Sequence, residues 1–276
     1  MFTYLNTSDN IILVVKQLRN KKGRFEKMGI SYTKLTRYVQ NPARAYAYYE
    51  LNDKSAYDFE INVPMLYGTL VHKKLANQLK DWEPTDVEKK LLFKYGDKNR
   101  GLKTALVGFN ETSKKVMDII GQLYKHLDVV FDEKNIQREL EFNGLFHGFV
   151  DFIDHENKII IDYKIVDDRT DFNKAWNNRD SRYDTWVHST MYDYQAFIYQ
   201  SAFEGYTHYI IAVTRNSIRS RVIDMGGVLY DNVLIESINE TMNDIADYKN
   251  GVKKPIVADD GSSWSEEHKP FELEVF

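Results

Sequence analysis

The stretch GFVDFIDHENKIIIDYKIV, residues 148–166, constrains this chain more than any other. It alternates with period two, breaks at a polar quartet and then runs through Ile159, Ile160 and Ile161, so it reads as two strands joined by a turn. A four-residue turn over His155 to Lys158 pairs Asp154 with Ile159. That register sets Asp151 directly opposite Asp162, with side chains about 5 Å apart at Cβ. Asp162 and Lys164 lie two apart on the second strand and project from one face, while Ile161 and Ile165 point from the other into a core. Two carboxylates that close repel each other unless a cation sits between them. One reading is therefore a magnesium site, since this ion takes oxygen ligands near ~2.1 Å and keeps several waters, with Lys164 standing beside it. The other is a surface hairpin with an ordinary Asp/Lys pair, because a lone Asp-x-Lys arises by chance in a charged chain. The isoleucines ahead of Asp162 favour a buried strand and, with it, the first reading.

Around this hairpin the period changes. Residues 31–49 read as helical, entered through Ser31 and split at Asn41-Pro42, with Pro42 opening the second helix. Residues 68–82 and 111–130 read as amphipathic helices, the first with His72 on the apolar stripe of Leu75, Ala76 and Leu79. Strands are expected over 138–142, 145–153 and 158–166, the first two joined by Asn143-Gly144. A helix over 191–203, strands over 207–214 and 219–224, a helix over 231–249 and an irregular tail after 257 complete the chain. This order predicts an α/β class with a central mixed sheet flanked by helices. With no repeat, low-complexity tract or linker, it predicts one domain: a mainly helical part over 1–130, a sheet core over 131–225, and a closing helix and tail over 226–276.

Composition narrows the chemistry. There is no cysteine, so any metal is held by oxygen and nitrogen, and thiolate zinc sites, disulfides and cysteine-ligated iron–sulfur clusters are excluded. The 19 Tyr, 15 Phe and 4 Trp suit a packed core, not a disordered chain. No apolar run reaches the roughly 20 residues of a membrane span, and no signal-peptide pattern opens the sequence, which predicts a cytoplasmic protein without membrane contact. The net charge of -4 does not advertise a nucleic-acid binder, but the basic residues cluster: Lys16, Arg19, Lys21, Lys22, Arg24 and Lys27, then Arg215, Arg219 and Arg221. Each run is either a phosphate-contacting patch or a solvated face.

Four segments in order carry a resemblance. Gly148, Asp151, then Asp162-Tyr163-Lys164 resemble the pattern of the PD-(D/E)XK nucleases, with Val150 in place of the name-giving proline. GTLVHKKL at 68–75 is similar to the Gly-x-x-x-His helix of the RecB-like branch, RELEF at 138–142 to its strand with a glutamate, and YDYQAFIYQ at 192–200 to its Gln-x-x-x-Tyr helix. The segment ISYTKLTRYVQNPARAYAYYEL, at 30–51, is closer still to phage and prophage exonucleases of the RecE type.

The resemblance implies a restriction-endonuclease-like core and a Mg²⁺-dependent exodeoxyribonuclease, with Mn²⁺ able to substitute. It implies metal ligands at His72, Asp151, Asp162 and the Tyr163 carbonyl, with Glu139 a further candidate. Lys164 would position the attacking water, and Gln195 and Tyr199 would hold the DNA backbone. Duplex DNA ends would be the substrate, resected for recombination, with a homo-oligomeric ring and a single-strand annealing protein as partners. The alternatives are an endonuclease or single-strand nuclease of the same fold, and an inactive DNA-binding or inhibitory homologue. Each accessory residue also has a structural reading: His72 as a core histidine, Tyr199 as packing, Glu139 and Glu141 as solvent surface. Relatives that bind an iron–sulfur cluster through four cysteines are excluded.

Overall fold

A buried aspartate sets the turn at the centre of the sheet. The computed structural model describes residues 29–57, 60–142, 144–177, 182–216 and 219–269. Asp154 is wholly buried; its Oδ1 accepts the N–H groups of Glu156 and Asn157, at 3.0 Å each. Its Oδ2 accepts the Tyr124 hydroxyl and the Asn157 amide, both at 2.8 Å. A carboxylate gripping the N–H groups two and three residues on is the aspartate's usual way of forcing a tight turn. Lys158 closes the turn with φ of 53°. Asp154 then pairs with Ile159 as the sequence predicts, and β2 (Gly148–Asp154) runs antiparallel to β3 (Ile159–Val166).

The pairing stops early. Its last rung is Phe152 with Ile161, so Asp151 and Asp162 sit one step beyond the ladder. The Tyr163 N–H goes instead to the Asp151 carboxylate, at 3.1 Å. Beyond that point β2 stays with β1 (Ile136–Phe142), pairing Leu140 with Val150 and Phe142 with Gly148. On its other side β3 pairs in parallel with β6 (Thr207–Thr214), which pairs antiparallel with β7 (Ser220–Asp224). The result is a five-stranded mixed sheet, ordered β1-β2-β3-β6-β7. A two-stranded ribbon of β4 (Ala175–Asn177) and β5 (Arg182–Asp184) stands apart from it.

Both faces of the sheet are covered, which is why β3 and β6 are apolar almost throughout. On one face Ile160, Ile210 and Ala212 pack with α1 (Tyr32–Gln40), α2 (Pro42–Tyr49), α6 (Trp186–Ser189), α7 (Tyr192–Ala202) and α8 (Asn232–Lys249). On the other, Phe152, Ile161, Tyr209 and Ile211 meet α3 (Val63–Leu75), α4 (Asp86–Leu92) and α5 (Phe109–His126). A last short helix, α9 (Ser263–His268), packs Trp264 against Ala43 and Ala47. Among the described residues no helix is long and apolar enough to cross a membrane.

The expected α/β class with a mixed sheet is the one observed; several boundaries are not. The helix expected over 68–82 starts at Val63, because Asn62 caps it and Pro64 sits in its first turn. It ends at Leu75, where Asn77 turns left-handed (φ 60°) while the N–H groups of Asn77 and Gln78 close back on Lys74 and Lys73. Leu79 therefore lies outside the helix that carries His72. The helix expected to reach residue 130 stops at His126 by the same device, with Asp128 at φ 56°. The tail after 257 is not wholly irregular, since it forms α9. Strand β2 begins at Gly148, three residues late, because Phe146 bridges in parallel to Ile30 instead. The basic run over 16–27 and Asn143 lie outside the described residues.

Asp154→Ala removes four accepted hydrogen bonds and leaves the Tyr124 hydroxyl buried without this acceptor. We expect a loss of about 3 kcal/mol in urea unfolding, the scale of a charged hydrogen bond plus an orphaned buried donor. A loss below about 1 kcal/mol would mean that the turn forms without Asp154.

Candidate active site

Where the β2–β3 ladder ends, β3 presents Asp162 and Lys164 on the α7 face. Asp162 is 1% exposed, and Lys164 Nζ lies 2.6 Å from its Oδ2. A buried carboxylate is tolerable only when paired and hydrogen-bonded. The second partner comes from α7: Gln195 Nε2 donates to Asp162 Oδ1 at 3.1 Å and to the Tyr199 hydroxyl at 2.7 Å. Tyr199 in turn donates to the Phe149 carbonyl of β2 at 2.7 Å. Gln195 and Tyr199, one helical turn apart, thus bridge from β3 to β2 where the backbone ladder has stopped.

From the opposite face α3 brings His72. Its Nδ1 is 3.3 Å from Asp151 Oδ1, and its ring lies 4.5 Å from that of Tyr163. Arg138 of β1 donates to the Leu75 carbonyl, which ties the end of α3 to the sheet. His72, Asp151, Asp162, Lys164, Gln195 and Tyr199 are therefore brought into one connected cluster, with Tyr163 between its halves. Glu139 lies on β1, but its side chain is outside the described residues. Gln195 and Tyr199 are placed differently from the sequence reading. Every residue of α7 from Asp193 to Gln200 is buried, so these two reach Asp162 and the sheet rather than a bound polyanion.

The charges are coupled. Burial pushes the Asp162 carboxyl up to about 6, with Asp151 adding to the rise and Lys164 opposing it. For Asp151 burial also acts upward, but His72, Lys164 and the Tyr163 N–H together hold it below the ordinary carboxylate value. Burial opposes the charged forms of Lys164 and His72, yet the carboxylates outweigh it and raise both.

Three residues of this neighbourhood escaped the sequence reading. The Tyr192 ring lies 4.7 Å from Lys164 Nζ and packs 6.3 Å from that of Tyr32, whose hydroxyl donates to the Thr190 carbonyl at 3.0 Å. Tyr192 shares the face of Gln195 and Tyr199 at helical spacing, a signal that was available; Tyr32 carried none. The third is His208, fully buried on β6 beside the Tyr199 ring at 5.2 Å, with neither ring nitrogen hydrogen-bonded.

Residues 31–264 match the model of a family described as PDDEXK-like domain of unknown function (DUF3799). The chain belongs to that family. The matched span includes every site residue just described, from Tyr32 to His208. The fold is also similar to a crystal structure described as a "putative exonuclease" from Eubacterium rectale, with a TM-score of 0.60 and 18% identity over 99% of this chain and 94% of that one. No curated protein matches the chain. The PDDEXK-like core, a restriction-endonuclease-like mixed sheet flanked by helices, is thus the architecture of this protein.

PDDEXK nucleases generally use divalent metals. Among the described residues no three His, Asp or Glu side chains close on one point, because His72 is drawn to Asp151 and Asp162 to Lys164. The donor chemistry fits a hard or borderline divalent ion, with imidazole nitrogen and carboxylate oxygen.

His208 gives a pH test of the packing behind the site. Burial, helped by the Lys164 charge, lowers its pKa from 6.5 to about 3. The unfolded chain therefore takes up a proton that the native chain refuses, and stability falls as pH drops from about 6.5 toward about 3, at roughly 1.4 kcal/mol per unit; above that window the group costs nothing. Between pH 7.5 and pH 5 the parent should lose about 2 kcal/mol more than His208→Leu in urea unfolding. Equal losses would mean that His208 titrates normally.

Proposed function

We propose that this chain is a divalent-metal-dependent deoxyribonuclease that hydrolyses phosphodiester bonds from duplex DNA ends. The observation that carries the reading is the Lys164–Asp162 pair at 2.6 Å, locked by Gln195 and set beside the His72–Asp151 pair where the sheet splays. A structural ion pair needs neither the second carboxylate nor the histidine. Family membership supports the nuclease reading, and the name of the Eubacterium rectale protein and the resemblance to RecE-type enzymes favour action from ends.

His72, Asp151 and Asp162, with the Tyr163 carbonyl, would hold Mg²⁺ or Mn²⁺. When bound, the ion polarises the scissile phosphate and lowers the pKa of a water. Lys164 stays protonated because the carboxylates hold its pKa up, and its ammonium steadies charge growing on the phosphate and orients the attacking water. Tyr192 lies against that ammonium, and Gln195 fixes the rotation of the Asp162 carboxylate. Arg215, Arg219 and Arg221 leave the β6–β7 edge, where Arg219 and Arg221 are exposed and suited to backbone phosphates, independent of sequence.

End-labelled linear duplex and closed circular DNA, incubated with and without Mg²⁺, test the proposal. Linear DNA should be degraded only with the metal, and closed circles should survive. Asp162→Asn should abolish cleavage while DNA binding persists or tightens; an active variant would remove Asp162 from the site. Lys164→Ala should cost on the order of a hundredfold in rate with metal affinity unchanged in calorimetry. His72→Ala should move the Mn²⁺ activation curve to higher concentration; an unmoved curve with a lowered melting temperature would make His72 a packing residue.

A further inference from the structure

The β4–β5 ribbon carries aromatic surface that the fold does not use. Trp176 and Tyr183 face each other across the ribbon, with rings 5.2 Å apart in an edge arrangement, and are 51% and 61% exposed. The other three tryptophans are buried or half-buried. Lys174, also exposed, reaches back over the Tyr183 ring at 4.4 Å. The opposite face of the ribbon is anchored. Asn177 is buried, and Ser189 of α6 donates to the Ala175 carbonyl at 3.2 Å. Helix α6 in turn packs Trp186 against Tyr192 at 5.0 Å, and Tyr192 lies against Lys164. One face is thus fixed to the candidate site, and the other offers an indole, a phenol and an ammonium to solvent.

We propose that this outward face is a stacking platform for the unpaired bases of a single DNA strand held next to the candidate site. The class of ligand rests on the nuclease reading above; the platform itself rests on the ribbon. Exposed rings with an adjacent cation are what sequence-independent single-strand binding uses, because every base has a π face and every linkage a charge. A paired duplex hides those faces, so unpaired bases are the occupant that matches. Charge agrees: Lys174 stands on the platform, and Arg221 of β7 is exposed and bonded to Asn173 at its root. Asp184 tempers this from the ribbon's other face, where it pairs with Arg182.

The test is binding of the full-length chain to fluorescein-labelled oligothymidylate and to a blunt duplex, in EDTA so that nothing is cleaved. Trp176→Ala and Tyr183→Ala should each weaken single-strand binding by about tenfold and duplex binding by less than about twofold, and Trp176→Phe should recover most of the loss. Oligothymidylate should quench the tryptophan fluorescence of the parent but not of Trp176→Ala. Unchanged single-strand affinity in both alanine variants overturns the platform, as does a parent that binds no single strand. Equal losses on single strand and duplex also overturn it, and so does a loss of self-association without a loss of DNA binding, which would make the ribbon a protein interface. Cleavage assays run in parallel separate the two ideas. Metal-dependent cleavage with unaltered ribbon variants leaves the nuclease reading and removes the platform; oligonucleotide binding through the ribbon without cleavage does the reverse.

Discussion

The register of one hairpin underlies everything else in this structure. Asp154 grips the N–H groups of Glu156 and Asn157, and the Tyr124 hydroxyl grips Asp154 from α5. A strand has a side-chain period of two, so a slip of one residue would send Asp162 and Lys164 to the α3 face and Ile161 and Ile165 to the α7 face. The turn therefore does more than connect two strands. It decides which helix layer meets the carboxylate and which meets the isoleucines.

The early end of the β2–β3 ladder is the second constraint, and it follows from chemistry at Asp151. Its carboxylate takes the Tyr163 N–H, so the backbone group left over where the strands part is satisfied by a side chain. The gap is spanned by the relay from Asp162 through Gln195 and Tyr199 to the Phe149 carbonyl. Side chains in this way replace backbone as the link between two strands, and they bring α3 and α7, from opposite faces of the sheet, to one place. A gap of this kind at a sheet's end is where a polar cluster can stay partly open to solvent: His72 keeps about a third of its side-chain surface exposed.

Within the cluster, two acids are balanced by one lysine and one histidine. Burial would by itself neutralise both carboxyls, and the opposing cations are what hold Asp151 ionised and limit the rise at Asp162 to about 6. Removing any one member leaves an uncompensated buried charge, which costs more than the pair contributes. His208, neutral and unbonded behind Lys164, marks how dry the space under the cluster is.

Much of this was legible in the sequence because it depends on local rules. Period two, the polar quartet at 155–158 and the isoleucine run determined the hairpin, its register and the common face of Asp162 and Lys164. The absence of cysteine limited any metal to oxygen and nitrogen donors. Helix ends were less legible: Asn77 and Asp128 adopt left-handed backbone that asparagine and aspartate permit but do not demand. The capping box of Thr85 and Glu88 that opens α4 was present in the sequence and passed over. What only the tertiary structure decided was the meeting of distant parts. It set His72 of α3 against Asp151, placed Tyr192 against Lys164, turned Gln195 and Tyr199 inward, and left Trp176 and Tyr183 outside. Those outcomes depend on how helices dock on the two faces of the sheet, a long-range packing problem that no periodicity within one segment encodes.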